Sequence, residues 1–259
     1  MAKKISKEEL RTPDAFHKTM EQGYSFTTRY GKQLSALVII GLVIAIGAVV
    51  MNFLKERKEN SAVQALYQPQ SEYKRLQDQY QQAKAPVEPT APKADPKAPK
   101  PVAATGDLQK DYGTVIRGFE AVIKDHSGTV AAGQAAVYLA SIYQEYGKLD
   151  EAKAVLEKPL KDLSNDTLIY SVANMVYGNI LASQDNCKDA VTIFERVKNF
   201  LSVDAAVKAG VCYEKLGQLD QAADMYRKAS TQSESSSSLA AKGYLRALEQ
   251  KRQSTGQAG

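Results

Sequence analysis

The longest apolar stretch of the chain runs from Leu34 to Leu54; it contains no charged residue and has only Ser35 and Asn52 as polar members. A helix rises about 1.5 Å per residue, so a stretch of this length just crosses a hydrocarbon core of about 30 Å. A buried helix would keep a polar stripe, and a cleavable signal peptide would carry a shorter apolar stretch before its cleavage site. A charged run at 55–59 follows instead. The pattern therefore predicts a retained transmembrane helix at 34–54.

Apolar side chains recur at helical spacing between residues 55 and 84, as at Ala62, Tyr73 and Tyr80. This periodicity predicts a juxtamembrane helical segment. Pro69 lies inside the segment, and because proline removes a helix hydrogen bond we expect a kink or a restart there.

The composition changes abruptly at residues 85–105, which hold six of the nine prolines of the chain among Ala, Lys and Thr. Such a segment cannot form a packed core. We expect an extended, semi-rigid linker of about 3 Å per residue. The alternative interpretation is a ligand for a small proline-recognition domain.

Residues 106–252 read as helix after helix, with no strand alternation and with short breaks that contain glycine or polar residues. Helices joined by such short turns are typical of antiparallel pairs. The sequence therefore predicts an all-α protein in which a single N-terminal transmembrane helix precedes a solenoid of helix pairs. Residues 253–259 are expected to form a disordered tail.

The helix pairs share a pattern of residue sizes. A small residue lies twelve positions before an alanine, and a large apolar residue follows four positions after that alanine. We expect the small residue to let the second helix approach and the large one to fill the gap towards the next pair. A left-handed turn glycine separates the two helices in two copies, and Asp185 replaces it in the middle copy. The three sets are Ala140, Ala152 and Leu156; Gly178, Ala190 and Phe194; and Gly210, Ala222 and Tyr226.

This pattern resembles the tetratricopeptide repeat, most clearly at Gly147–Ala152 and Gly217–Ala222. The resemblance implies that residues 55–84 supply the first helix of the first repeat, so that the linker is an insertion within that repeat. It also implies that Leu239–Leu248 is a capping helix, which a solenoid needs to cover its open end.

The order of parts is similar to that of the YfgM-like family of bacterial inner-membrane proteins, with the Ala- and Tyr-containing helix Ser61–Tyr67 leading into the repeats. The resemblance implies a cytoplasmic N-terminal tail at 1–33 and a periplasmic repeat domain. It further implies an ancillary role at the SecYEG translocon, together with the membrane-anchored chaperone PpiD and exported client proteins.

The charges of the chain lie mostly near the predicted span. The net charge of the whole chain is +5, whereas residues 106–259 carry 18 Lys and Arg against 19 Asp and Glu. A near-neutral domain argues against a nucleic-acid partner, which would require a clustered positive face. Juxtamembrane Lys and Arg are better suited to lipid headgroups.

The sequence contains no recognisable catalytic motif. The two histidines, His17 and His126, have no second ligand at helical spacing, and no glycine-rich phosphate loop follows a strand. We therefore expect no enzyme activity, no catalytic residue, no metal site and no cofactor, although an unrecognised catalytic site is kept as an alternative hypothesis.

The two cysteines match no metal-binding spacing. Cys187 opens the second helix of the middle repeat and Cys212 lies late in the first helix of the next, so stacking could bring them together. Two interpretations stay open, a disulfide formed in an oxidising compartment or two small buried side chains.

A protein-binding groove is expected on the face formed by the first helices of the pairs. This surface is mixed, with an apolar middle, and it lacks the Lys/Arg cluster that would clamp a peptide carboxylate. We expect it to bind an extended or helical apolar segment of a partner or client protein, or else to serve as a scaffold surface in another envelope assembly. The residues expected to face the groove are Gln134, Val137, Ser141, Gln144, Val172, Met175, Asn179, Val207, Val211 and Glu214.

Membrane orientation gives a first testable prediction. The basic residues on the two sides of 34–54 are too evenly matched to decide it, but long domains translocate largely regardless of charge. We expect protease added to spheroplasts to digest the repeat domain. A domain that stays shielded until the membrane is disrupted would contradict this orientation.

Overall fold

The computed structural model describes residues 15–84, 102–232 and 235–254, so the predictions for 1–14, 85–101 and 255–259 lie outside the described residues. The chain divides into two compact units, residues 1–57 and 58–259. Its α-helices are α1 (Ala15–Lys84), α2 (Leu108–Asp125), α3 (Val130–Glu145), α4 (Leu149–Asp162), α5 (Leu168–Ser183), α6 (Cys187–Phe194), α7 (Ser202–Lys215), α8 (Leu219–Gln232) and α9 (Ser236–Ser254).

The first unit is helical from Ala15 onward, which includes the later part of the predicted tail. Among the described residues, one helix is long and apolar enough to cross a membrane by length and composition, over Ser35–Lys84. The apolar side chains between Leu37 and Leu54 are exposed. The Arg57 guanidinium lies 4.7 Å from the centre of the Phe53 ring.

Of the two alternatives expected at Pro69, the restart is wrong, because α1 continues through this residue. The kink stays a prediction. Pro69 is buried, and it packs against Gly118 of α2 so closely that a Cβ atom at position 118 would lie 2.8 Å from the Pro69 Cβ atom. The absence of a side chain at 118 lets the ring be buried, and this packing compensates for the helix hydrogen bond that proline cannot make.

The second unit consists of helices that pack against their neighbours along the chain. The pairs α3–α4, α5–α6 and α7–α8 are in contact, and successive pairs meet through α3–α5, α4–α5 and α6–α7. The last helix, α9, packs on α8 and α7. No strand occurs in the described ranges. The all-α, repeated helix-pair architecture predicted from the sequence is thereby confirmed for this part of the chain.

The part of α1 in the second unit packs into the domain through aromatic rings. Ring-centroid distances from Tyr73 are 5.8 Å to Tyr112, 6.0 Å to Phe119 and 5.4 Å to Tyr138. The Tyr80 ring lies 5.6 Å from that of Tyr112. These rings belong to one buried cluster that joins α1, α2 and α3, and edge-on or tilted contacts of this kind add to the stabilisation from area burial.

Two side chains of α1 hold the start of α3 and the turn before it. The Glu59 carboxylate accepts hydrogen bonds from the Val130 and Ala131 backbone N–H groups at 3.0 and 3.1 Å. The Lys58 Nζ atom donates to the Ser127 carbonyl at 2.7 Å. Because the first N–H groups of a helix have no partner within the helix, Glu59 satisfies two donors and complements the helix dipole.

A buried carboxylate, Asp111, joins the segment before α2 to the end of α3. It accepts hydrogen bonds from the Thr105 N–H at 2.9 Å, the Thr105 hydroxyl at 2.8 Å, the Gly106 N–H at 3.0 Å and the Tyr146 hydroxyl at 2.6 Å. Burial by itself would raise the pKa of Asp111, but these hydrogen bonds outweigh it and hold the pKa below its ordinary value. The Tyr80 hydroxyl also donates to the Asp111 carbonyl at 3.1 Å.

The small and large residues of the repeat pattern meet within one helix pair. A Cβ atom added at Gly178 would lie closer than 3.0 Å to the Phe194 ring, and one added at Gly210 would be as close to the Tyr226 ring. Phe194 shares a buried cluster with Ala205 and Ala209 of the next pair, as predicted, and its contact within its own pair is additional. The large side chain occupies the space that the missing side chain of its own pair leaves.

The turns between paired helices share one geometry. Gly147 and Gly217 have φ values of +70° and +72°, and Asp185 takes the equivalent left-handed conformation at +57°. In the Asp185 turn, the Asp185 N–H donates to the Ala182 carbonyl and the Asn186 N–H donates to the Leu181 carbonyl, at 3.2 and 2.9 Å. This is the double hydrogen bond that closes a helix whose next residue is left-handed. The prediction that Asp185 replaces a turn glycine is confirmed.

The glycines give a stability prediction. Gly178→Ala and Gly210→Ala should each lower the free energy of unfolding by about 1–3 kcal/mol, because the added methyl group overlaps a buried ring. Gly243→Ala is the matched control: nothing lies within 4 Å of its added Cβ atom. There the better helix propensity should raise stability by about 0.5–1 kcal/mol. Chemical unfolding of the purified proteins measures these changes, and a stabilised Gly178→Ala protein would contradict the close approach.

Asp111 gives a prediction for acid stability. Its folded-state pKa is lowered, so its stabilisation is present above the unfolded-state value of about 3.9 and is lost as the pH falls through the folded-state pKa. Asp111→Asn should cost about 1–3 kcal/mol at pH 7, because an amide cannot accept all four hydrogen bonds. The difference from the wild type should shrink below pH 4. Asp107→Asn, at an exposed helix cap that tolerates either residue, is the control. A difference that is constant with pH would contradict this role.

Candidate binding groove

The ten residues predicted to face a groove lie on three helices of the second unit. All ten are half-buried, as expected for side chains that line a surface depression. Those on α3 are Gln134, Val137, Ser141 and Gln144; those on α5 are Val172, Met175 and Asn179; and those on α7 are Val207, Val211 and Glu214.

Four of these residues come together in one cleft between α5, α7 and α9, here called the α5–α9 cleft. It has a volume of about 500 Å³ and is lined mainly by apolar side chains. The predicted residues in its wall are Met175, Asn179, Val207 and Val211, and the structure adds Leu201, Ala240 and Tyr244 among others.

The other six predicted residues do not line this cleft. On α3, the Gln134 side chain donates to the Tyr138 hydroxyl at 3.3 Å, and the Ser141 hydroxyl donates to the Val137 carbonyl at 2.9 Å. The Glu214 carboxylate accepts a hydrogen bond from the buried Tyr226 hydroxyl, within the α7–α8 pair. The first helices therefore present a polar surface at α3 and an apolar one at α5 and α7.

The sequence pattern predicts residues 239–248 only as a capping helix. The contribution of α9 to the cleft was not predicted. Tyr244 is 44% exposed and stacks on Tyr226 with ring centroids 5.3 Å apart. Ala240 lies one helical turn earlier and also faces the cleft. Leu248, on the same helix, is buried against α8 with Ala222 and Tyr226. Thus α9 covers the last pair with one part of its surface and forms a wall of the cleft with another. The helical spacing of Ala240 and Tyr244 was the signal in the sequence.

The rim of the cleft along α7 carries two lysines and one aspartate. Lys208 and Lys215 both line it, seven residues apart and hence on the same side of the helix. Lys215 forms an exposed ion pair with Asp185 at 2.9 Å. The opposing carboxylate in the lining, Asp204, accepts a hydrogen bond from the Ser237 hydroxyl. An apolar cleft with two ammonium groups at its edge is suited to an apolar segment that carries acidic residues on one side.

The two cysteines lie together behind this cleft. Cys187 and Cys212 are both buried free thiols in the same apolar cluster. Burial raises the pKa of the Cys212 thiol, and its hydrogen bond with Cys187 raises the pKa further; the ammonium groups of Lys215 and Lys208 act in the opposite direction without reversing the shift. The prediction that the repeat stacking brings the two residues together is confirmed, whereas the disulfide itself stays a prediction.

Among the described residues, no group of three or more His, Cys, Asp or Glu side chains could hold a metal ion. The cleft presents apolar walls, the exposed Tyr244 ring and the ammonium groups of Lys208 and Lys215.

A family model described as a tetratricopeptide repeat-like domain matches residues 25–256. The chain belongs to this family. Domains of the tetratricopeptide repeat-like family generally bind proteins, and this chain carries no evidence of catalytic activity. No curated protein matches the sequence.

Two solved structures of repeat proteins are similar to this chain. The kinesin-light-chain-type, nearly identical TPR-like repeats of Podosopora anserina share 18% identity at a TM-score of 0.45 and cover 58% of this chain and 82% of that one. MamA shares 19% identity at a TM-score of 0.42, with coverage of 60% of this chain and 99% of that one.

Proposed function

We propose that this tetratricopeptide repeat-like protein is a membrane-anchored interaction module that binds partner or client proteins through the α5–α9 cleft. The observation that carries the proposal is the apolar cleft itself, in a family whose domains generally bind proteins. A volume of about 500 Å³ accommodates a few apolar side chains of an incoming segment.

The partner segment is apolar along one side and acidic along another. Met175, Val207 and Val211 offer an apolar floor, and Tyr244 offers a ring with a polar end. Lys208 and Lys215 stand where acidic side chains of the segment would meet them. Charges at such a rim contribute mainly to the association rate and to the choice of partner, and burial of the apolar side chains contributes most of the affinity.

The apolar stretch 34–54 serves as the membrane anchor in this proposal. Its support is the exposed apolar surface of α1 in the first unit and its sufficient length. Residues 55–84 form the first helix of the first repeat, 85–105 the inserted linker, and 106–252 the remaining repeats. The packing of Tyr73 and Tyr80 against α2 supports this division.

The cellular role proposed is that of the YfgM-like family, an ancillary subunit of the SecYEG translocon that works with the periplasmic chaperone PpiD and exported clients. The order of anchor, Ala- and Tyr-containing helix and repeats supports it. The cytoplasmic tail 1–33 and the periplasmic repeat domain belong to the same proposal.

Site-specific crosslinking tests this function. A photoreactive residue at Ala240, which is exposed within the cleft, should crosslink to translocon subunits, PpiD or exported proteins in native membranes. The same residue at Ala247, exposed on α9 outside the cleft lining, is the matched control and should give little product.

Charge substitution provides a second measurement on the same two positions. Ala240→Glu should reduce recovery of the crosslinked partner through a second cleft position, Met175, by tenfold or more, because a carboxylate would enter the apolar contact. Ala247→Glu should leave recovery unchanged. Equal crosslinking from both positions would contradict the cleft as the binding site, and partners drawn only from another envelope assembly would contradict the translocon role.

A further inference from the structure

Cys187 and Cys212 lie at the junction of two consecutive helix pairs. Cys187 is the first residue of α6, and Cys212 lies on α7, the helix that packs against α6. Each is 2% exposed, and both belong to an apolar cluster with Leu181, Ala190 and Ala209. No other cysteine occurs in the chain, so each thiol has one intramolecular partner.

The two side chains lie in the same buried cluster, at the contact between α6 and α7. A disulfide requires the two sulfur atoms to approach to about 2.05 Å with the Cβ atoms about 3.5–4.5 Å apart. From this placement, rotation about the side-chain bonds supplies most of this approach.

Cys212 is only 2% exposed, but it is the cysteine that borders an open surface. It lines the α5–α9 cleft, whereas Cys187 does not. Lys208 lies four residues before it and Lys215 three residues after it, on the same side of α7, and their ammonium groups partly offset the rise that burial causes in the pKa of the Cys212 thiol. A small-molecule disulfide that carries carboxylate groups matches the size of the cleft and the positive charge of these two ammonium groups.

We propose that Cys187 and Cys212 form a reversible dithiol/disulfide site, oxidised by a small-molecule or protein disulfide that enters through the α5–α9 cleft. The Cys212 thiolate attacks one sulfur of the incoming disulfide and releases the first thiol. The Cys187 thiolate then attacks Cys212 Sγ in the mixed disulfide and releases the second thiol. Two electrons pass from the cysteine pair to the incoming disulfide, which leaves as two thiols after taking up the two protons.

The bond would strengthen the least regular junction of the described repeats. The α6 helix spans only eight residues, and a 3₁₀ turn at Asn199–Leu201 separates it from α7. A covalent link between α6 and α7 closes the loop that contains this connection and lowers the entropy of the unfolded chain. This inference rests on the placement of the two thiols and holds whether or not the cleft binds the proposed partner.

The test uses the purified full-length protein and oxidised glutathione. After incubation, acid quenching and alkylation of remaining thiols, the wild type should lose both alkylation sites and become lighter than the reduced, unalkylated chain by two hydrogen masses, with no glutathione attached. Peptide mapping should show one link between Cys187 and Cys212. The unfolding midpoint should rise on the order of 5–10 °C and return on reduction.

Single variants assign the order of attack. Cys187→Ala should accumulate a stable glutathione adduct on Cys212, whereas Cys212→Ala should leave Cys187 largely unmodified because Cys187 does not line the cleft. If either variant fails to fold, the mass and peptide map of the wild type decide by themselves. Two alkylated cysteines after prolonged oxidation, or a disulfide found only between two chains, would overturn the proposal.

Discussion

The packing of α1 onto α2 and α3 is the constraint on which the rest of the repeat domain depends. Tyr73 and Tyr80 place their rings against Tyr112, and Glu59 satisfies the first N–H groups of α3. Without the 58–84 part of α1, the buried face of α2 would lose its aromatic partners and α3 would begin with unsatisfied donors. The 58–84 part of α1 is thus packed onto α2 and hydrogen-bonded to the start of α3.

Close packing also positions the helices of the later pairs and, through them, the walls of the cleft. Gly178 and Gly210 let α5 and α7 lie close to the Phe194 and Tyr226 rings of their partner helices. The cleft side chains of α5 and α7 come from neighbouring positions on the same helices, and the Phe194 ring that packs on Gly178 also lines the cleft. The repeat pattern that stabilises the fold therefore also determines which residues are free to contact a partner, and α9 closes the far wall.

The sequence was most informative where a local rule governs the structure. A glycine between two predicted helices indicates a left-handed turn, as found at Gly147 and Gly217. The spacing of the repeats identified Asp185 as the residue that replaces this glycine in the middle copy. It failed where a contact joins distant segments. Pro69 is buried because Gly118 leaves room for its ring, and the start of α3 is capped by Glu59. The periodicity of the sequence does not show that these distant residues are in contact.

The candidate site shows the same limit. Helical phase selected positions on α3, α5 and α7 that are half-buried in the structure, but it could not show that Tyr244 and Ala240 of α9 would complete the apolar cleft. Which helix covers the end of a solenoid, and at what angle, is decided by packing of several elements at once.

Hydrogen exchange of the full-length protein, read by mass spectrometry, tests the central claim most directly. If α1 is part of the first helix pair, the amides of Ala62–Tyr80 should be protected with an opening free energy equal to that of α2 and α3, and all three segments should lose protection together as denaturant is added. Exchange of Ala62–Tyr80 at the rate of a solvent-exposed helix, while α2 and α3 remain protected, would contradict it.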